Sequence, residues 1–238
     1  MSIDELCKSL NVSDSTARRV MTSLADKGMI IRYHGGGHSV EWALESSDIQ
    51  KRFDLHASAK DAIARTAAEL VKPDSIIILM GGTTVCKMCK YIKDMKVTVI
   101  TNSIIILDEL KNRRGIDIVL LGGRYNHSEM EVVGALTDIN LKMLRADSLF
   151  MGANHFHPKI GFLTDERESL QFYRNCIDAA SKSYVLADSS KLGENAAAIT
   201  ATCDMVDCLI TDNKLDIDII KQFESMGVSV IYKATDNK

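Results

Sequence analysis

From about residue 54 onward, hydrophobic positions form short continuous runs that alternate with stretches of helical periodicity. The continuous runs, rich in β-branched residues, are Ser75–Met80, Lys96–Thr101, Ile116–Leu121, Ala146–Met151, Ser183–Ala187, Val206–Thr211 and Val228–Tyr232. The helical stretches between them include Ala62–Val71, Val85–Lys93, Ile104–Lys111 and Leu215–Met226. Continuous apolar strands separated by helices are typical of a parallel sheet that is covered on both faces. The pattern therefore predicts an α/β fold with a mostly parallel, Rossmann-like sheet.

The first forty residues show a different pattern, that of two short amphipathic helices. Apolar residues recur at i, i+3, i+4 and i+7 in Ile3, Leu6, Cys7 and Leu10, and again in Ala17, Val20, Met21 and Leu24. Between these stripes, Ser13 is a good N-cap and Val12 is placed to pack inward, while Gly28 is suited to end the second helix. Two such helices joined by a tight turn make a helix-turn-helix.

A predicted β-hairpin follows the second helix and forms a wing. Its strands are Met29–Tyr33 and Ser39–Ala43, with a turn at His34–His38. Burying the apolar stripe of the second helix directs hydroxyl and guanidinium groups outward, where a recognition helix contacts base edges and phosphates. The predicted DNA-contacting residues are Ser13, Ser15, Thr16, Arg18, Arg19, Thr22, Arg32 and His34.

Other interpretations of this segment remain open at this point. The same stripes occur in small helical hairpins that only pack against a partner. A winged helix normally has a further helix before the first one seen here, and the sequence begins too late to include it. We therefore expect a winged helix-turn-helix that lacks its first helix, and the alternative of a protein that has lost DNA binding stays open.

Composition and charge narrow the classes of function. Lys plus Arg is 29 and Asp plus Glu is 32, and the net charge of -3 excludes a protein that coats nucleic acid by bulk charge. Residues 1–40 nevertheless carry five basic and four acidic side chains. Aromatic residues make up only 5%, which argues against single-strand binding by base stacking. Because no apolar run reaches about 18 residues and the start lacks signal-peptide features, we expect a cytoplasmic protein without membrane association.

The polar, charged segment Glu45–Asp61 predicts a linker or linker helix. A boundary near residue 53 divides the chain into an N-terminal DNA-binding domain, with its linker, over residues 1–52 and a larger domain over residues 53–238. Of the six cysteines, only Cys86 and Cys89 have a spacing seen in zinc sites, and no second pair or nearby His completes a set of four ligands. We predict no metal, no disulfide and no cofactor.

Polar residues follow several of the predicted strands, and ligands of α/β sheets bind at the carboxyl ends of the strands. The loops concerned are Gly81–Thr84, Thr101–Ser103, Gly122–Tyr125 and Asp188–Lys191. Glycines let the backbone approach an anion, hydroxyls donate hydrogen bonds, and helix N-termini favour negative charge. Each loop alone could also be an ordinary turn or helix cap, but together the loops predict a binding site for a phosphorylated sugar. No dinucleotide-binding or P-loop glycine motif follows any strand.

Over essentially its whole length, the sequence resembles the DeoR family of bacterial transcription regulators. The resemblance is carried by Val12–Arg19, Gly28–Gly37, Gly82–Thr84, Thr101–Ser103, Leu121–Gly123, Phe150–Ala153, Gly161–Thr164 and Leu186–Lys191. It implies an N-terminal winged helix that binds double-stranded operator DNA. It also implies a C-terminal sensor domain, similar to ribose-5-phosphate isomerase, that senses sugar phosphates without converting them. Homo-oligomers are usual in the family.

With the resemblance, the strand-end loops define a candidate effector site. Its residues are Lys60, Gly81, Gly82, Thr83, Thr84, Thr101, Asn102, Ser103, Gly122, Gly123, Arg124, Gly152, Asn154 and Lys191. The family usually has acidic residues near Met80 and at Asn154, and a Glu and a Lys at Gln171 and Tyr173. Because charge-assisted hydrogen bonds are roughly twice as strong as neutral ones, these changes are expected to alter the sugar-reading half more than the phosphate-binding half.

The leading hypothesis is a transcriptional repressor of sugar-metabolism genes that responds to a phosphorylated sugar and is not an enzyme. One alternative is a phosphosugar isomerase-like enzyme, in which His155, Asp165, Glu166 and Glu168 move protons. The other is a sensor or oligomer partner that has lost DNA binding.

Overall fold

The computed structural model describes residues 3–27, 29–33, 36–39, 49–193 and 196–233. Its contacts divide the chain into two compact units, residues 1–52 and 53–238. In the described part of the chain, no helix has the length and apolar character needed to cross a membrane.

The N-terminal unit contains two helices and a β-hairpin. Helix α1 covers Ile3–Leu10 and helix α2 covers Asp14–Asp26, while β1 (Ile30–Tyr33) pairs antiparallel with β2 (Gly36–Ser39). The Thr16 backbone N–H donates to Ser13 Oγ at 3.3 Å, so Ser13 caps α2 as predicted. A small core holds the helices together and consists of Ile3, Ala17 and Met21, with Leu6, Cys7, Val12 and Ile30 packed against it.

Three details of this unit differ from the sequence prediction. Val20 is 37% exposed and Leu10 is 57% exposed, because the small core is centred on Ile3, Ala17 and Met21 and both residues lie outside it. Strand β2 begins at Gly36, inside the stretch assigned to the turn, because Gly36 pairs with Tyr33. Gly28, His34, Gly35 and residues 40–48 lie outside the described residues.

Helix α3 covers Ile49–Asp54, within the predicted linker. The helices that follow in the second unit are α4 (Ala57–Ala68), α5 (Thr83–Cys89), α6 (Ile104–Leu110), α7 (Ala135–Lys142), α8 (Leu170–Ala179) and α9 (Ile217–Ser225). The strands are β3 (Ile76–Leu79), β4 (Val97–Thr101), β5 (Ile116–Leu120), β6 (Arg124–Asn126), β7 (Glu131–Val133), β8 (Ser148–Gly152), β9 (His155–His157), β10 (Gly161–Thr164), β11 (Ser183–Leu186), β12 (Ala198–Ala201), β13 (Cys208–Asp212) and β14 (Ser229–Lys233).

A seven-stranded sheet forms the centre of the second unit. Its order is β14-β13-β11-β8-β3-β4-β5, and every neighbouring pair is parallel. The seven continuous apolar runs of the sequence are its seven strands, which confirms the predicted fold class. From β3 the chain proceeds outward through β4 to β5, and it then returns to β8 on the other side of β3. The sheet therefore has a topological switch point between β3 and β8, the position at which α/β sheets form a binding crevice.

Short antiparallel strands, which were not predicted from the sequence, form two further small sheets in the described part of this unit. Strands β6 and β7 pair with each other, and β10 lies between β9 and β12. The ring of Phe223 on α9 packs against Phe156 on β9 and Phe162 on β10, with centroid distances of 5.8 and 5.9 Å. These aromatic contacts join the small three-stranded sheet to the main core. Strand β5 is only partly covered, with Leu120 41% exposed, because it is the last strand at one edge.

Candidate functional site at the carboxyl ends of the strands

Parallel pairing brings loops that are distant in sequence to one edge of the sheet. Reading across from β11 to β5, this edge carries the 3₁₀ turn Ser189–Lys191, then Gly152 and Asn154, Gly81–Thr84, Thr101–Ser103 and Gly122–Arg124. Lys60 is buried on α4, which packs against α5. The structure thus brings the strand-end residues of the candidate site together at one edge.

The loop after β3 lies at the switch point. Thr83 and Thr84 are buried in the first turn of α5, directly after the two glycines. Gly82 has a φ of 111°, a conformation that L side chains rarely adopt, and a Cβ at this position would meet no atom within 4 Å. The backbone at Gly82 is therefore free of contacts on that side and open to a ligand.

Asn102 and Ser103 follow β4 and are almost completely buried. The Asn102 amide nitrogen donates to Val132 O at 3.1 Å and to Glu131 Oε2 at 3.2 Å. Asn102 Oδ1 and Ser103 Oγ are buried, and neither has a hydrogen-bond partner among the described residues. Buried polar groups in proteins are ordinarily hydrogen-bonded, so these two atoms mark the edge of the sheet as a place where a ligand is expected.

Glu131 is a further candidate residue of this site, which the sequence did not predict. It opens β7 and is held against the end of β4, since Val132 N donates to Asn102 O at 2.8 Å and Ile104 N donates to Met130 O at 2.9 Å. A Cβ on Gly81 would lie 1.6 Å from Glu131 Oε1, so the carboxylate lies directly against Gly81. The only sequence signal is an acidic residue directly before the apolar pair Val132–Val133, and nothing local assigns it to this site.

The half of the candidate site to which the family pattern assigns sugar recognition differs from the expectation in its carboxylates. Met80 is buried in the hydrophobic core and supplies no charge, but Glu131 brings a carboxylate to the neighbouring Gly81. Asn154 Oδ1 accepts a hydrogen bond from Thr164 Oγ1 at 3.1 Å. The expected loss of carboxylates is therefore only partial, because the β6–β7 hairpin supplies one from another part of the chain.

Tyr173 and Gln171 lie on α8. Burial raises the pKa of Tyr173 well above its ordinary value, and the carboxylates of Glu166 and Glu131 raise it further, so the phenol is protonated at neutral pH. Its hydroxyl also has a hydrogen bond with Thr164. Gln171 is exposed and donates to Asn175 Oδ1 at 3.0 Å. Tyr173 thus presents a neutral phenol beside Glu131, whereas Gln171 bonds along its own helix.

The loop after β5 is closed by the protein itself. A Cβ on Gly123 would lie 2.2 Å from Thr137 Oγ1 and 2.8 Å from Val133 O. Thr137 Oγ1 also donates to Gly122 O at 2.9 Å. The Arg124 guanidinium is two-thirds exposed and lies 3.4 Å from Glu168 Oε2. Close packing against α7 and β7 therefore accounts for the glycine at 123 without a ligand.

Cys86 and Cys89 are buried on α5. Burial raises the pKa of the Cys86 thiol to about 12 and that of Cys89 well above its ordinary value, so both thiols are protonated. Their sulfur atoms lie 3.8 Å from Ile105 O and 3.7 Å from Val85 O. Within the described part of the chain, no group of three or more His, Cys, Asp or Glu side chains is arranged to hold a metal ion.

The predicted DNA-contacting residues of the first unit cluster on α2. Arg18 and Arg19 are exposed, and Arg18 forms a two-pronged ion pair with Asp14 one turn earlier. The hydroxyls of Ser15 and Thr16 each lie 3.0 Å from Ser13 Oγ at the start of the helix. Thr22 Oγ1 donates to Arg18 O at 2.9 Å. Of the two wing residues, Arg32 lies in β1 opposite Gly37, and His34 is outside the described residues.

Comparison with known protein families matches both units. Residues 1–42 match a DeoR-like helix-turn-helix domain, and residues 55–213 match a DeoR C-terminal sensor domain. The chain is 30% identical to the HTH-type transcriptional regulator GolR of Listeria innocua over 97% of this chain and 91% of that protein. It is 31% identical to the lactose phosphotransferase system repressor of Lactococcus lactis over 94% of this chain and 89% of that protein.

A solved structure similar to this chain is that of ribose 5-phosphate isomerase A from Methanocaldococcus jannaschii, with 20% identity and a TM-score of 0.42. The match covers 56% of this chain and 53% of that one, about half of its length. The relatives in sequence are named as transcriptional regulators or repressors, not as enzymes. The hypothesis of a regulator, as opposed to an isomerase-like enzyme, is therefore confirmed.

Proposed function

Because the chain belongs to the DeoR family of transcriptional regulators, we propose that it represses sugar-metabolism genes in the cytoplasm and is released from its operator by a phosphorylated sugar. The observation that carries the proposal is the switch-point edge of the sensor sheet, where Gly81–Thr84 and Asn102–Ser103 combine open backbone, hydroxyls and unpartnered buried polar atoms. The name of the Lactococcus lactis relative, a repressor of a lactose phosphotransferase system, supports the same class of ligand.

In this proposal α2 is the recognition helix. Its hydroxyl-rich start, Ser13, Ser15 and Thr16, reaches base edges, while Arg18 and Arg19 contact guanine or phosphates and Thr22 extends the same surface. Arg32 and His34 belong to the wing. Helix-turn-helix proteins bind two half-sites about one helical turn apart as dimers, and this supports a homo-oligomer as the DNA-binding form.

The effector binds at the strand ends of the sensor. Thr83 and Thr84, with the open backbone of Gly82, receive the phosphate, and Lys60 and Lys191 supply positive charge on that side. The sugar hydroxyls face Thr101, Asn102, Ser103, Gly152 and Asn154, and the exposed guanidinium of Arg124 lies at the outer end. Gly122 and Gly123 are not included, because Thr137, Val133 and Asn140 occupy the space around them. Ligand binding shifts the oligomer away from its DNA-bound state only through a difference in affinity between the two states.

A titration of the full chain with DNA and ligands tests the proposal. Fluorescence anisotropy with a duplex from the chain's own upstream region is expected to show specific binding that one member of a sugar-phosphate panel reverses. The matching free sugar, without phosphate, serves as the control and is expected to leave the complex intact. Absence of specific DNA binding, or of any sugar-phosphate effect together with absence of binding heat, would contradict the proposal.

A further inference from the structure

We infer that Glu131 is a specificity-determining residue of the effector site: its carboxylate accepts hydrogen bonds from sugar hydroxyls and disfavours a ligand that carries a second negative charge there. The inference rests on the proposed function, since it concerns the same site. The inference adds Glu131 to the predicted effector-site residues. It also predicts the preferred ligand, a sugar or polyol that carries one phosphate and no other charged group.

The first support is the relation between Glu131 and Gly81. The φ angle of Gly81 lies outside the left-handed region, so its backbone conformation does not require glycine. What requires glycine is space, because a Cβ would lie 1.6 Å from Glu131 Oε1 and 2.5 Å from its carboxyl carbon. The missing side chain at the end of β3 therefore makes room for the carboxylate of Glu131.

The second support is the way in which the carboxylate is held. Asn102 donates from its amide nitrogen to Glu131 Oε2 at 3.2 Å and to Val132 O at 3.1 Å. The same amide group carries Oδ1, which is buried and has no partner in the described part of the chain. Ser103, which forms a β-bridge with Glu131, has a buried Oγ with the same lack of a partner. An unpartnered buried acceptor is unfavourable, and ligand hydroxyl groups are suitable donors for it.

The third support is the neighbouring phenol. Burial and then the negative charges of Glu166, Glu131 and Glu129 raise the pKa of Tyr173, so its phenol stays neutral. The region around Glu131 therefore carries negative charge, which favours hydrogen-bond donors and disfavours another anion. The proposed phosphate end, at Thr83 and Thr84, has the opposite preference. A ligand that satisfies both ends has a phosphate at one end and uncharged hydroxyls at the other.

The test compares ligands that differ in this second group. Calorimetry on the full chain uses a panel of hexose and hexitol monophosphates, and 6-phosphogluconate, which carries a carboxylate in addition to its phosphate, is the probe for a second negative charge. The wild-type chain is expected to bind its best hexose or hexitol monophosphate roughly tenfold more tightly than 6-phosphogluconate. In Glu131→Gln, binding of that sugar phosphate is expected to weaken roughly tenfold, because a hydrogen bond to a charged group is replaced by one to a neutral amide. Binding of 6-phosphogluconate is expected to tighten about threefold, because the charge that repels its carboxylate is removed.

Opposite changes for the two ligand classes separate a role in recognition from general damage to the fold. Glu224→Gln is the matched control, since it removes the same charge at an exposed position of α9. Glu224 lies close to the start of β14, so it is at the amino ends of the strands and the candidate site is at their carboxyl ends. Gly81→Ala is a second variant, which displaces the carboxylate without removing it and is also expected to weaken the sugar phosphate.

The possible failures are distinguishable. If the wild-type chain binds a sugar phosphate and Glu131→Gln does not change the binding of the two ligand classes in opposite directions, the inference about Glu131 is wrong and the proposed function stands. If Glu131→Gln does not fold, Gly81→Ala decides, and the inference is wrong if this variant binds the sugar phosphate as tightly as the wild-type chain does. If the wild-type chain binds no sugar phosphate, both proposals are overturned.

Discussion

The two units of this chain present their functional residues in different ways. In the N-terminal unit, the predicted contact residues Ser13 to Thr22 belong to a single capped helix, and the side chains that point to solvent are set by its periodicity. In the sensor unit, the candidate site consists of the ends of several strands and the β6–β7 hairpin. A helix surface depends on local sequence, whereas a sheet edge exists only once the whole sheet has formed.

This difference implies different responses to substitution. Arg18 and Arg19 on the outer face of α2 are exposed, and surface ion pairs contribute little to stability, so their replacement is expected to change DNA binding and leave stability nearly unchanged. Residues around the sensor site also hold the fold. Asn102, for example, bonds both the β7 backbone and the carboxylate of Glu131. The predictions below test this contrast.

The largest effect is expected from Gly161→Ala in the sensor unit. Gly161 has a φ of 108°, and a Cβ there would lie 2.2 Å from the backbone oxygen of Ala201 in the paired strand β12. Backbone strain and overpacking together are expected to lower the free energy of unfolding by about 3 kcal/mol, measured by urea denaturation followed by circular dichroism. Gly227→Ala is the control, because Gly227 also has a positive φ but no atom within 4 Å of a Cβ. Equal losses in the two variants would show that the contact with Ala201 is not the cause.

A smaller effect, on binding alone, is expected in the N-terminal unit. The double variant Arg18→Ala/Arg19→Ala is expected to lower affinity for operator DNA roughly tenfold to a hundredfold, since a good base contact contributes about 1–3 kcal/mol. The salt dependence of binding is expected to become less steep, as measured by anisotropy at several salt concentrations. Lys72→Ala/Arg114→Ala removes two exposed positive charges from the sensor unit and is the matched control. If both double variants lost the same affinity for DNA, overall charge would explain the binding and a specific role of α2 would be contradicted.

The smallest effect is expected from Ser13→Ala, which removes the cap of α2. The Thr16 N–H then loses its acceptor, and the local stability of the helix is expected to fall by about 1 kcal/mol. Amide hydrogen exchange of α2 in the full chain measures this loss. Ser9→Ala is the control within the same unit, because its hydroxyl bonds to Leu6 O near the end of α1 and caps no helix start. A slower exchange in Ser13→Ala than in wild type would contradict the assigned cap.

Much of the architecture could be predicted from particular residues. The apolar runs that begin at Ser75 and Lys96 became central strands because both of their faces are buried, and continuous hydrophobicity reports that burial directly. The short strands β6, β7, β9, β10 and β12 could not be predicted, because three or four residues are too few to establish a period. Val20 shows the same limit in a helix, since a small core covers only the centre of the stripe.

The candidate site was predictable to a similar extent. The loops Gly81–Thr84 and Thr101–Ser103 were found from their composition and their place after strands, and the parallel sheet brings them side by side. Gly123 was predicted to admit a ligand, whereas the structure places Thr137 and Val133 against it. Both roles need a residue without a side chain, so the sequence alone does not distinguish them.

By itself, the sequence determined the class of each unit: a helix-turn-helix with its cap and basic outer face, and a parallel sheet with glycine and hydroxyl groups at its strand ends. These features follow from local periodicity and residue type. Only the tertiary structure decided that Glu131, fifty positions after Gly81, lies against that glycine. The physical reason is that the position of this carboxylate depends on the pairing of the β6–β7 hairpin with the end of β4, a long-range contact that no local pattern encodes.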